Sequence, residues 1–146
     1  MPASEREAPT STASAAETEA LGAALSARLR PGHVVLLTGE MGTGKTTFVR
    51  GALRALGVTR PVTSPTFTLG QRYDEAIPPA AHLDLHRLAG LDDEDPALLH
   101  DYVGPGRIAF VEWPERAEPT LAGLGEIAAR VRLEHVDEHT RRVTVT

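Results

Sequence analysis

Gly39-Glu40-Met41-Gly42-Thr43-Gly44-Lys45-Thr46-Thr47 follows the apolar run His33-Val34-Val35-Leu36-Leu37-Thr38 and opens a stretch of helical periodicity. Strand, glycine loop and helix form the context in which G-x-x-x-x-G-K-T binds phosphate. Glycines 39, 42 and 44 let the backbone turn tightly and present its N–H groups to phosphate oxygens. The helix starting at Lys45 points its positive end at the same place. In such a loop Lys45 reaches the β- and γ-phosphates, and the Thr46 hydroxyl ligates Mg²⁺. Lys45 is the only lysine among 15 lysines and arginines. A chain that otherwise uses arginine thus has a compact ammonium at the one position where it suits phosphate chemistry.

Upstream, residues 1–13 are rich in Ala, Ser, Thr, Glu and Pro without apolar periodicity and read as a flexible tail. A helix is expected from Ser14, with Leu21, Ala24, Leu25 and Leu29 as its apolar stripe. Ser14 and Glu17 have the S-x-x-E form of a capping box. Pro31-Gly32 ends that helix before the strand at His33 to Thr38, which is apolar nearly throughout, as a strand covered on both faces should be.

Downstream of the loop, Phe48, Val49, Ala52, Leu53 and Leu56 recur at helical spacing, and Gly57 suits the position after the helix end. Thr63 to Tyr73 leads into a strand, a turn spans Asp74 to Pro79, and Ala81 to His86 returns as the second strand of a hairpin beside the main sheet. Asp95 and Pro96 look like the N-cap and first residue of a short helix ending at Tyr102. Arg107 to Trp113 reads as a buried strand. Alternation from Ala129 to His135, a turn at Asp137 to Thr140 and a last strand from Arg141 form a C-terminal hairpin. The expected fold is α/β: one P-loop NTPase domain, residues 14–146, with a central mixed sheet flanked by helices.

With 146 residues, the chain is long enough for one core. It has no cysteine, which removes disulfides and thiolate metal sites. No apolar run reaches membrane-span length and no basic-then-apolar leader is visible, so a cytoplasmic protein without membrane contact is expected. The net charge of −5 gives no global attraction for phosphodiester backbones. DNA is not an expected partner, and a link to RNA would be local or made through another protein. Arg130, Arg132, Arg141 and Arg142 read as solvated positions on two strands.

A P-loop needs an acid at the end of a neighbouring strand to hold or order Mg²⁺. Glu112 closes the apolar run Ile108 to Val111 and fits that role. Asp84 is the second acid. His82, Asp84 and His86 alternate and share a strand face, but three ligands on one short strand rarely wrap a metal. Asp84 therefore reads as an Mg²⁺-shell or water-orienting carboxylate with the histidines as neighbours. Thr66 and Thr68 are either a switch that senses the γ-phosphate or ordinary strand threonines. Trp113 either faces the nucleotide or a partner, or packs elsewhere. Asparagine is absent and Gln71 is the sole glutamine. The guanine signature N-K-x-D is therefore excluded, and a Ras-type glutamine has little room. The short length also leaves little space for a kinase lid.

Taken together, Glu17-Thr18…Leu21-Gly22, the loop through Phe48, Ser64-Pro65-Thr66-Phe67-Thr68-Leu69, His82-Leu83-Asp84-Leu85-His86-Arg87 and Val111-Glu112-Trp113-Pro114 resemble the TsaE family (also called YjeE) of small bacterial P-loop ATPases. The resemblance runs from about Ser14 to Pro114. It implies an ATP- and Mg²⁺-dependent subunit required for N6-threonylcarbamoyladenosine formation on tRNA, working with TsaB and TsaD and meeting tRNA through them. By position, Gly39, Glu40, Met41, Gly42, Thr43, Gly44, Lys45, Thr46 and Thr47 bind nucleotide, with Thr18 near the adenine. Thr46 and Glu112 hold the metal, and Lys45, Asp84 and Glu112 serve catalysis. His86 stands where the family usually has Tyr, which leaves the role of that position open. The alternatives are a small kinase on the same loop and an ATP-dependent switch that does not hydrolyse.

Overall fold

The computed structural model describes residues 9–65, 68–86 and 97–146. At the centre lies β2 (His33–Thr38), whose four inner residues Val34 to Leu37 are almost wholly buried. It runs parallel to β5 (Ile108–Glu112) on one side and to β6 (Glu126–His135) on the other. Beyond β5 come β4 (Ala80–Asp84), parallel to it, and β3 (Gly70–Tyr73), antiparallel to β4. Beyond β6 come β7 (Arg141–Val145) and β1 (Thr10–Thr12), each antiparallel to its neighbour. The described residues thus form a mixed sheet of order β1-β7-β6-β2-β5-β4-β3.

Helices α1 (Ala15–Ser26) and α2 (Lys45–Ala55) cover one face. Their Leu25, Phe48, Val49, Ala52 and Leu53 pack with Val35, Leu37, Phe110, Val131 and Leu133 of the sheet. Helices α3 (Ala97–His100) and α4 (Glu118–Leu124) cover the other face. There Leu99 and Leu121 meet Val34, Leu36, Leu83 and Val111. Alternation along each strand divides its side chains between these two cores, so β2 reads as a continuous apolar run.

Half of the capping box forms as expected: the Glu17 N–H donates to Ser14 Oγ at 3.2 Å, while the Glu17 carboxylate reaches one residue further back and accepts from the N–H of Ala13 at 3.2 Å instead of that of Ser14. At the C-terminal end of α2, Gly57 has φ 100° and Val58 N–H bonds the Leu53 carbonyl, so the glycine-terminated stop holds as expected.

Four readings change. Thr10–Thr12, placed in the 1–13 tail, form an edge strand because the backbone of β7 offers them a ladder; residues 1–8 lie outside the described residues. In α1, Ala24 is exposed, while Thr18, Gly22 and Ser26 join Leu25 in the buried face. Small residues win there because α2 comes very close: a Cβ on Gly22 would stand 2.0 Å from the Phe48 carbonyl oxygen, and one on Gly51 1.9 Å from that of Glu19. Helix α4 was not foreseen; its signal was Glu118-Pro119, an acid and a proline in the first turn. Both hairpins belong to the central sheet, since β4 and β6 pair in parallel with β5 and β2. The capping pair Asp95-Pro96 and the candidate switch residue Thr66 lie outside the described residues.

Candidate functional site

The parallel strands β2, β5 and β4 end on one edge at Thr38, Glu112 and Asp84, and α2 starts above that edge. Ligands bind outside the carboxyl ends of the strands in sheets of this kind. A cleft of about 440 Å³ opens there, lined by Met41, Gly42, Gly44 to Thr47, Ser64, Pro65, Asp84, His86, Glu112 and Trp113.

The loop is shaped as a phosphate cradle. Gly39, Gly42 and Gly44 have φ of 143°, 76° and 99°, in the region that side chains avoid. At Gly39 a Cβ would also stand 2.4 Å from the Leu133 carbonyl oxygen. Gly44 is the N-cap of α2 and gives it no side-chain cap, which leaves the first-turn N–H groups to a ligand. His135 and Arg141, at the turn end of the β6–β7 hairpin, reach the outer side of the loop. His135 Nε2 lies 3.3 Å from the Met41 carbonyl, and Arg141 donates to that of Gly42 at 3.4 Å.

Lys45 folds back under the loop, its ammonium donating to the carbonyls of Gly39 and, at 3.1 Å, Glu40. The ammonium also sits 4.2 Å from the centre of the Trp113 ring, a cation–π contact. Burial lowers the Lys45 pKa below the ordinary lysine value, although the charges of Glu112, Asp84 and Glu115 act in the opposite direction. Trp113 has φ 57° and is the sole non-glycine residue with positive φ among the described residues. A bulky residue in that region carries strain.

The acids meet as the parallel register dictates. Asp84 is paired with Glu112 across β4 and β5, and His82 with Phe110. Thr46 donates to Glu112 Oε2 at 2.9 Å, and His82 Nε2 approaches the same oxygen at 2.5 Å. Asp84 accepts from Ser64 Oγ at 2.8 Å, from His86 Nδ1 at 2.7 Å and from the His86 backbone N–H at 3.1 Å. Burial works against the Asp84 charge, but the bonds from His86 and Ser64 outweigh it and hold the carboxyl below its usual pKa.

The structure gathers Met41, Gly42, Gly44, Lys45, Thr46, Thr47, Asp84 and Glu112 around one cleft. Gly39, Glu40 and Thr43 line a separate hollow on the far side of the loop, with Arg132 to His135. Thr18 is buried behind Gly44, its hydroxyl 2.8 Å from that of Thr12, and is absent from the cleft wall. The sequence reading treated His82 as a neighbour of Asp84 and missed its bond to Glu112. Only the one-face alternation of 82, 84 and 86 hinted at it. Trp113 faces the cleft, one of the two readings left open for it.

Among the described residues, no group of three or more His, Asp or Glu could hold a metal by itself. Thr46 and Glu112 instead offer two hard oxygen donors beside a phosphate cradle. That donor set fits Mg²⁺, which takes one or two protein oxygens and completes its shell with phosphate and water.

Comparison with known proteins agrees with this geometry. The family model for "Threonylcarbamoyl adenosine biosynthesis protein TsaE" matches residues 12–143. The tRNA threonylcarbamoyladenosine biosynthesis protein TsaE of Bacillus subtilis is 32% identical over 130 residues, which cover 89% of this chain and 79% of that one. Its namesake from Streptomyces coelicolor is 38% identical over 132 residues, covering 86% and 87%. The crystal structure of Bacillus subtilis YdiB superposes with a TM-score of 0.73 at 28% identity, covering 96% of this chain and 85% of that one.

Proposed function

The chain belongs to the TsaE family, and from that premise we propose that it is the ATP-binding and ATP-hydrolysing subunit needed for threonylcarbamoyladenosine modification of tRNA. In this reading it works in the cytoplasm with a TsaB–TsaD type complex and meets tRNA through those partners. The names of its relatives support the pathway. Its net charge of −5 supports indirect contact with tRNA. No helix among the described residues is long and apolar enough to cross a membrane.

The observation that carries the catalytic part is the contact of Thr46 with Glu112 beside the uncapped start of α2. The first-turn N–H groups bind the nucleotide phosphates, and Lys45 leaves the Gly39 and Glu40 carbonyls to pair with the β- and γ-phosphates. Thr46 and Glu112 hold Mg²⁺, which when bound neutralises charge on the phosphates. Asp84, fixed by Ser64 and His86, orients the water for attack on the terminal phosphorus.

The test is phosphate release from ATP with Mg²⁺, with and without TsaB–TsaD, read together with threonylcarbamoyladenosine formed on tRNA. ATP turnover that rises with the partners and tracks the modified base is expected. Transfer of phosphate to an added acceptor without release would replace the reading with a kinase. Modification supported by ATP binding without phosphate release would replace it with a switch.

A further inference from the structure

His82 is wholly buried in β4, yet apolar side chains dominate the core around it. Its Nδ1 has no hydrogen-bond partner among the described residues. Burying an unpaired ring nitrogen is costly, and an apolar residue would fill the same space without that cost. Something else must require imidazole here.

The other ring nitrogen supplies the reason. Nε2 lies 2.5 Å from Glu112 Oε2, the oxygen that also accepts from the Thr46 hydroxyl. In the parallel register His82 stands opposite Phe110, so its ring reaches diagonally along the sheet to Glu112, two residues on. The contact fixes the tautomer. A proton on Nε2 makes a charge-assisted bond to the carboxylate, whereas a proton on Nδ1 would be buried unpaired and would turn a lone pair towards the carboxylate. Glu112 Oε2 thus takes two donors.

We propose that His82 is a positioning residue for the divalent-cation site. It holds the Glu112 carboxylate in one orientation. The Thr46 hydroxyl, by donating its hydrogen to that oxygen, then keeps its own lone pairs for the cation. The proposal rests on the nucleotide reading of the cleft. It assigns His82 the Mg²⁺-dependent part of nucleotide affinity rather than the contacts to phosphate, which the loop and Lys45 make without it. Partners in the second shell of a metal site commonly change metal affinity about 10- to 100-fold.

The experiment is ATP binding by calorimetry on the wild type, His82→Phe and His82→Gln, each in Mg²⁺ and in EDTA, with thermal melting as the control for folding. Phenylalanine keeps a ring in the space and removes the donor. Glutamine returns an N–H at about the reach of Nε2. The wild type should bind ATP more tightly in Mg²⁺ than in EDTA. His82→Phe should lose about tenfold of that gain, with its EDTA affinity within about twofold of the wild type. His82→Gln should recover most of the gain. A phenylalanine variant that keeps the whole gain overturns the proposal and leaves the nucleotide reading intact. So does an equal loss in both media that glutamine does not reverse, which would make His82 a packing residue only. If the phenylalanine variant does not fold, the glutamine variant decides by keeping or losing the gain. A wild type that binds no ATP in either medium overturns the nucleotide reading itself, and this inference with it.

Discussion

The hydroxyl of Thr46, in the first turn of α2, donates to Glu112 Oε2, at the end of β5, across 2.9 Å. This bond joins the phosphate loop to the acid that completes it. Replacing Glu112 with glutamine keeps the shape and removes the negative charge. ATP affinity in EDTA should stay within about threefold, since the loop and Lys45 are untouched. The added affinity from Mg²⁺ should shrink, and hydrolysis should fall about 100-fold, the order lost when one group supporting electrostatic stabilisation of the transition state is removed. Phosphate release and calorimetry on one preparation check both parts. Wild-type turnover in the variant would move the decisive carboxylate to Asp84.

Lys45 and Trp113 give an optical test. Trp113 is the sole tryptophan of the chain, and its ring lies 4.2 Å from the Lys45 ammonium. Phosphate capture by Lys45 draws the cation away from the ring, so ATP should change the tryptophan emission saturably. Lys45→Ala should abolish both the change and the binding. Burial places the Lys45 pKa below the ordinary lysine value, so ATP affinity should fall with rising pH earlier than an exposed lysine would allow. The stability sign is opposite. Between the lowered folded value and the ordinary unfolded one, the unfolded chain holds more protons, so this group makes folding more favourable as pH rises. Emission titrations from neutral to alkaline pH, with urea melts alongside, separate the two effects.

What could be read in the sequence was whatever depends on local pattern. The glycine loop, the N-cap at Ser14, the strand at 33–38 and the acid at 112 each carry their signal within a few residues, and each stands where expected. What escaped depends on neighbours brought from afar. His82 reaches Glu112 only because β4 and β5 run parallel in one particular register. The buried face of α1 shifted from Ala24 to Thr18, Gly22 and Ser26 because α2 approaches backbone to backbone, a demand written in two sequence segments at once. Thr10–Thr12 have no strand signal of their own and take their form from the open edge of β7.

Asp84 provides an acid-side test. Its carboxyl is held below the usual range because the bonds from His86 and Ser64 outweigh burial. A carboxyl whose pKa is lowered on folding contributes stability that is fully present above its unfolded value. That stability fades as pH falls through the folded value. Urea midpoints of the wild type should therefore drop on the acid side of the ordinary carboxylate range. Asp84→Asn, which cannot ionise, should show a shallower drop over the same window. Parallel curves for the two proteins would show that these bonds do not stabilise the charged form.

The contact between α1 and α2 predicts opposite outcomes for the same substitution in two helices. Alanine normally stabilises a helix relative to glycine by up to about 1 kcal/mol. Gly123, in the last turn of α4, has open space around it, so Gly123→Ala should raise stability by a fraction of that amount. Gly51 in α2 has none: an added Cβ would stand 1.9 Å from the Glu19 carbonyl oxygen, which is backbone and cannot swing aside. The helices must separate, and overpacking of this kind costs about 1–3 kcal/mol, enough to exceed the propensity gain. Because α2 carries Lys45 and Thr46 at its start, the displacement should reach the phosphate cradle. Gly51→Ala is therefore expected to lower both the melting temperature and ATP affinity, while Gly123→Ala raises the first and leaves the second unchanged. Thermal melts and ATP titrations of the two variants check this. A Gly51→Ala protein as stable as the wild type would mean that the close approach of the two helices does not fix the position of α2.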